Sequence, residues 1–319
     1  MTSKKGQTPF AASSRDDGWR KRRKWSLTLF ALLVGAPLTA GAQYDLYAPT
    51  VVQLASTPRA AVLGNTAAAR DIEAIFGNPA LVGVAAGTVA GFARYDASTL
   101  LSVASSTSLG SFSVGIGGQY LDGFTLSDGL PLSSHALLVG GHLPMSSAAG
   151  AFALATTYRN VRVGAAVKYV EQSHGSLQDA APALDLGIAK DLSRITAGLT
   201  VQNIGAGLDF PNTSVQLPLR FSAGLAGYGY SFGWFDLSGT AGVSVLPNGD
   251  VLPAGGLEVG YVPMEGYNFM ARVGLKRPEL AAQQPFSFGV TAALDRFSLE
   301  YAYEDWEGGS AHRLALRVR

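Results

Sequence analysis

The chain has 319 residues, 39 of them glycine, no cysteine, 47% hydrophobic residues and only 15% charged residues. That balance excludes a disordered chain and a nucleic-acid-binding protein, which need few apolar residues or a strong basic excess. The absence of cysteine excludes a disulfide scaffold, a thiolate metal site, a cysteine nucleophile and a lipoprotein anchor.

Residues 1–42 read as a secretory signal. Arg20, Lys21, Arg22, Arg23 and Lys24 precede a short apolar run from Trp25 to Val34, followed by Thr39-Ala40-Gly41-Ala42. A basic start, an apolar stretch of about ten residues and small residues before a cut near Ala42 define such a signal. The run is too short to span a bilayer as a helix, which takes about 20 residues. Eight of the 24 basic residues and two of the 23 acidic ones lie before the cut, leaving 16 basic and 21 acidic residues. An acidic, lysine-poor exported chain does not suit nucleic acid.

Residues 43–87 are too few to bury a core of their own and are expected to fill the mouth of a barrel as a plug. Thr57 can cap a helix with Pro58 in its first turn. Arg70 to Phe76 reads as one or two helical turns, stopped by Gly77-Asn78-Pro79. Asn78, Pro79 and Ala80 form the candidate plug or gate motif, since proline fixes the backbone and asparagine caps the turn.

From Thr88 to Arg319 the pattern has a period of two. Val161, Val163, Ala165, Val167 and Tyr169 alternate with small or charged residues, as do Ile195 to Val201, Leu217 to Leu225, Phe297 to Tyr303 and Leu314 to Val318. Period two is the strand signature. Aromatic residues gather towards the strand ends, at Tyr228, Tyr230, Trp234, Tyr261, Tyr267, Tyr301, Tyr303 and Trp306, as in interfacial girdles. The expected fold is all-β, a transmembrane outer-membrane barrel of about 14 antiparallel strands over residues 88–319. Long segments at 122–134, 172–182, 205–217 and 276–285 are the expected outer loops.

Lys168, Asp185, Arg220, Glu258, Arg272, Arg296 and Glu300 fall on the polar phase of their strands and are expected to face the lumen. A charge on the lipid face would cost about 2–4 kcal/mol near the midplane. They would pair across the lumen and hold the plug, or offer Arg220 or Arg272 to a carboxylate. Glu304, Asp305 and Glu307 read as a solvated loop. The four histidines, His135, His142, His174 and His312, lack metal-ligand spacing, and no nucleotide loop or serine–histidine pair suggests catalysis. The reading is a non-enzymatic barrel with no cofactor.

The runs Pro58-Arg59-Ala60-Ala61-Val62-Leu63-Gly64-Asn65-Thr66-Ala67 and Asp71-Ile72-Glu73-Ala74-Ile75-Phe76-Gly77-Asn78-Pro79-Ala80-Leu81 resemble the N-terminal signature of the PorV/PorQ family, itself similar to FadL-type transporters. Val163 to Tyr169, Ala183 to Gly187, Val201 to Gly205, Leu217 to Arg220, Arg272 to Leu275, Tyr301 to Tyr303 and His312 to Leu316 fit the same family in order. The resemblance covers about residues 55–319 and implies a FadL-like barrel in the bacterial outer membrane. It implies as the main function a platform or shuttle in type IX-like protein export or surface attachment. The alternative is a FadL-like passive conduit for hydrophobic small molecules, with an apolar pocket beside Ile72, Ile75 and Phe76. Expected partners are outer-membrane lipid, lipopolysaccharide, the barrel assembly machinery, and an exported protein cargo or a hydrophobic ligand.

Overall fold

A computed structural model of the chain describes residues 49–64, 66–95, 98–124, 145–210, 213–280, 282–307 and 309–319. The signal segment, His135 and His142, and most of the expected loop 122–134 lie outside the described residues. Among those described, no helix is long and apolar enough to cross a membrane.

The first strands are β1 (Gly87–Tyr95), β2 (Ser98–Leu109), β3 (Phe112–Phe124), β4 (Met145–Tyr158), β5 (Val161–His174), β6 (Leu177–Leu192) and β7 (Ile195–Gly205). A short hairpin follows, β8 (Leu208–Phe210) with β9 (Thr213–Val215). The remainder are β10 (Arg220–Phe232), β11 (Phe235–Val245), β12 (Val251–Met264), β13 (Tyr267–Lys276), β14 (Gln283–Leu294), β15 (Phe297–Trp306) and β16 (Gly309–Val318). Fourteen of these strands pair antiparallel with their neighbours, β7 directly with β10. β1 pairs with β16 from Thr88↔Val318 to Tyr95↔Ala311 and closes the barrel, so its fourteen strands leave no barrel edge to pair with another chain.

Alternation along the strands sorts the two faces. Leu101, Phe152, Leu199, Phe221, Val290 and Leu316 stand outward and are about half exposed. Their neighbours Ser102, Ala151, Gly198, Ser222, Thr291 and Ala315 turn inward. That apolar-out, polar-and-small-in pattern is the one a lipid-embedded barrel requires.

The two ends differ. Six connections at one end, 110–111, 159–160, 193–194, 233–234, 265–266 and 295–296, have two residues each. Arg159 and Asn160 both take positive φ, 49° and 64°, the backbone of a tight hairpin turn that matches strand twist. The opposite end carries the connections 206–219, 246–250 and 277–282 together with the stretch after Phe124. One expected loop and one expected strand start differ from the structure. Residues 172–182 are mostly strand, turned at 175–176 between β5 and β6, and the strand expected from Leu217 begins only at Arg220, with Leu217 and Leu219 in irregular backbone before it.

Residues 49–86 contain 3₁₀ turns at Thr50–Val52, Ile72–Phe76 and Pro79–Leu81, and one helix, α1 (Pro58–Leu63). The Thr57 side chain accepts the Ala60 N–H at α1's start, Pro58 follows it, and Gly64 ends the helix at φ 74°. Gly77 ends the next turn and Asn78 caps the one after. The first turn touches β3 and β4, α1 touches β12 to β16, and the later turns touch β1 to β6. With wall strands on every side, this segment lies in the lumen. Its backbone rests directly on the wall where glycine permits: a Cβ at Gly274 would overlap the Val62 carbonyl, and one at Gly198 the Ala67 carbonyl.

Two apolar clusters fill the lumen's ends. At the loop end Val51 and Leu54 pack with Leu100, Leu121, Val170 and the inward-folded hairpin residues Leu208 and Phe210. At the turn end Ile72, Ile75 and Leu81 pack on Ala104, Ala153 and Ala166, with Phe76 against them.

Candidate functional site

Between the apolar ends runs a band of buried charge that ties the luminal segment to the wall. Arg59, on α1, places Nη1 2.7 Å from Asp71 Oδ2 and Nε 3.3 Å from Glu258 Oε2. Glu258 also pairs with Arg272, whose Nη1 donates to Thr291 Oγ1 at 2.5 Å. Asp71 pairs in turn with Arg317, and Arg317 Nε lies 3.0 Å from Glu300 Oε1. Arg317 Nη2 comes within 3.6 Å of Glu73 Oε2, and the Thr57 hydroxyl donates to Glu73 Oε1. Five wall strands and two pieces of the luminal segment thus share one network.

The electrostatics of the two luminal carboxyls diverge. Burial would raise Asp71, but Arg317 and Arg59 outweigh it and hold the carboxyl well below the usual range. Burial raises Glu73 as well, and the neighbouring Asp71 charge adds to it, so that despite Arg317 the group is pushed up to about 8.

A second group sits nearer the loop end. Glu304 lies 2.6 Å from both Arg313 Nε and Lys276 Nζ, and accepts from Gln283 Nε2 at 2.7 Å. The same cations reach the luminal segment: Arg313 Nη1 donates to the Ala55 carbonyl at 2.8 Å and Lys276 Nζ to that of Ala61 at 3.2 Å. Arg313 also bonds the Tyr95 hydroxyl and lies over its ring, 5.0 Å from the centroid.

A third group fixes the wall itself. Lys168 Nζ is 2.5 Å from Asp185 Oδ2 and donates to Asn203 Oδ1 at 3.1 Å. Asn203, at φ 60° beside a bulge in the β6–β7 pairing, donates its own N–H to Asp185 at 2.7 Å and Nδ2 to the Pro218 carbonyl at 2.9 Å. This anchors the connection that carries the inward hairpin.

The Asn-Pro-Ala element lies on the β6–β7 seam. Asn78 Nδ2 donates to Ala67 O at 2.6 Å and to the carbonyls of Ile188 and Leu199 at 3.2 and 3.4 Å. Its Oδ1 accepts the Ala80 N–H at 3.0 Å. Pro79 and Ala80 are buried beside it, against the face that Gly164 leaves open.

Lys168, Asp185, Glu258, Arg272 and Glu300 are buried on the inner side of the wall. Arg220 is partly buried and already paired with Glu279, as Arg272 is with Glu258, so neither guanidinium is free for a carboxylate. Arg296 is a correction: it lies in the two-residue turn 295–296 and is exposed, because strand phase stops at a turn. Glu304 is another. It is fully buried in β15 rather than part of a solvated loop. The sequence reading did not single out Arg59, Asp71, Glu73, Arg313 or Arg317 as site residues. Arg313 and Arg317 stand on the polar phase of the last strand, a signal that was there to use. Among the described residues no cluster of histidine and acidic side chains could hold a metal ion.

No family model matches the chain, and no curated protein matches it in sequence. Solved structures do match in fold. The toluene transporter TbuX of Ralstonia pickettii is 12% identical, with 82% of this chain and 98% of that one covered at a TM-score of 0.56. The CymD monoaromatic hydrocarbon channel is 12% identical over 83% and 97% of the two chains, also at 0.56. The toluene transporter TodX of Pseudomonas putida is 11% identical over 86% and 98%, at 0.54. This chain shares their fold. All three are transporters or channels by name, and nothing in these matches points to protein secretion.

Proposed function

We propose that this protein is a non-enzymatic outer-membrane conduit for small hydrophobic molecules, of the monoaromatic hydrocarbon kind, closed by its own N-terminal segment. The observation that carries this reading is the filled lumen. Residues 49–86 occupy the bore and are held there by ion pairs and hydrogen bonds to the wall, at Glu258, Arg317, Arg313 and the β6–β7 seam. A bore filled in this way passes nothing until the segment moves, so the segment acts as plug and gate. The apolar clusters above and below the charge band would receive a hydrophobic permeant on either side of it. The fold shared with toluene transporters supports that substrate class.

The short turns would face the periplasm and the longer connections the exterior, the usual orientation of such barrels. Lipid and lipopolysaccharide are then the partners of the outer face, and the barrel assembly machinery the route of insertion.

The test is toluene entry into vesicles carrying the purified full chain, against vesicles carrying an unrelated closed barrel. Entry clearly faster than in the control supports the conduit. Equal rates, with a protein cargo co-purifying from the native membrane, would replace it by the export platform.

A further inference from the structure

The buried network around Arg59 holds one carboxyl more than its arginines neutralise. Arg59, Arg272 and Arg317 face Asp71, Glu73, Glu258 and Glu300, and none of the seven side chains is more than 11% exposed. A fully ionised network would leave an unpaired buried charge, which protein interiors strongly disfavour.

Geometry assigns the surplus to Glu73. Asp71 sits between Arg59 and Arg317, Glu258 between Arg59 and Arg272, and Glu300 takes Arg317 Nε at 3.0 Å. Besides its side-chain hydrogen bond with Asp71, Glu73 has only the 3.6 Å approach of Arg317 Nη2 and the Thr57 hydroxyl, and among the described residues its Oε2 accepts no further hydrogen bond. It also lines a cavity of about 20 Å³ formed within the luminal segment, with Arg59, Asp71, Thr66 and Asn78 on the other sides. That is room for about one water molecule beside the carboxyl.

The other elements packed on the 72–76 turn are β1 to β4 and the 79–81 turn. Of their described ionisable groups, Arg94, Tyr120, Asp122 and Tyr158 are exposed, and Tyr95 is engaged with Arg313 at the loop end. The groups facing Glu73 are therefore Asp71, Arg59, Arg317 and Glu300.

We propose that Glu73 and Asp71 form a buried proton-binding site, and that loss of the shared proton releases the luminal segment from the wall. This rests on reading that segment as the gate. Two carboxyls this close hold one proton between them because both cannot ionise side by side. Glu73 titrates near 8 when docked and, once in water, at its ordinary value near 4.5. Between those values the docked form binds one proton more, so rising pH favours release by about tenfold per pH unit, and no further above about 8.

The experiment is hydrogen exchange of the purified full chain from pH 6 to 9, read on peptides covering residues 57–78. Protection is expressed against the unfolded exchange rate at each pH. The wild-type protein should lose about tenfold protection per pH unit up to about pH 8 and then level off. Glu73→Gln, whose amide keeps a donor towards Asp71, should be flat across the range. Glu73→Met, neutral without a donor, should also be flat at lower protection. A flat wild-type profile, or a slope that survives in either variant, overturns the proposal. Exchange reads segment motion with no permeant present, so a failure of toluene entry would leave this result standing and identify the conduit reading as the one at fault.

Discussion

Arg59 on the luminal helix and Glu258 on β12 are 199 residues apart in the chain and meet at 3.3 Å. Arg59 also holds Asp71 within its own segment, so one guanidinium fastens the segment to itself and to the wall. Removing it would leave Asp71 and Glu258 buried with half their partners gone. Arg59→Ala is expected to weaken docking by about 3–5 kcal/mol, the usual cost of orphaning a buried charge. Arg70→Ala is the contrast, because the Arg70–Asp191 pair is 29% and 34% exposed. Solvent screening holds such a pair to about 1 kcal/mol at most. Hydrogen exchange of residues 57–78 in both variants checks the difference.

The wall glycines predict a position-specific effect. Gly274→Ala places a methyl group on the Val62 carbonyl and should cost about 1–3 kcal/mol by overpacking. Gly150→Ala adds a methyl group with no atom within 4 Å and should be neutral or stabilising by about 0.5 kcal/mol. Thermal unfolding in one detergent separates the two.

Asn78 makes a cap on one side and three carbonyl contacts on the other. Asn78→Ala should cost about 1–3 kcal/mol through the unsatisfied carbonyls and the lost cap. Asn78→Asp should cost more, because it keeps the cap acceptor but points an oxygen at Ala67, Ile188 and Leu199. The order Asn, Ala, Asp in thermal stability is the expected outcome.

Glu304 and Glu307 stand three residues apart with opposite consequences. Glu304→Ala leaves Lys276 and Arg313 buried without their carboxylate and should destabilise by about 3–5 kcal/mol. Glu307→Ala, at an exposed turn, should stay within about 0.5 kcal/mol. Equal effects in thermal unfolding would contradict the buried placement of Glu304.

Much of this was legible in the sequence. The period-two runs placed Lys168, Asp185, Glu258, Arg272 and Glu300 on one strand face, and a barrel gives that face one meaning. Thr57-Pro58 and Gly77-Asn78-Pro79 carried local capping chemistry that needs no tertiary context, and the turns formed there. The misplaced residues are those where the local pattern ends. Arg296 belongs to a turn, where alternation has no phase. Glu304 is hidden by its acidic neighbours Asp305 and Glu307, which share its composition but not its strand position. The polar run 172–182 resembles a loop because inward-facing polar residues of a strand and loop residues are the same types. The pairings were not legible at all, since Arg59 finds Glu258, and Asp71 finds Arg317, only once the barrel has closed.

The central claim is that permeation requires the luminal segment to leave its seat. Thr66 in the segment and Gly224 in β10 offer a direct test, because a Cβ built at Gly224 lies 3.3 Å from Thr66 Cβ. That is within a few tenths of an ångström of disulfide reach, and the chain has no other cysteine to interfere. Toluene entry would be measured into vesicles carrying the Thr66→Cys/Gly224→Cys protein, oxidised and then reduced. The account predicts loss of entry with the bridge formed and recovery on reduction. Equal entry in both states would show that molecules pass with the segment in place, and would contradict it.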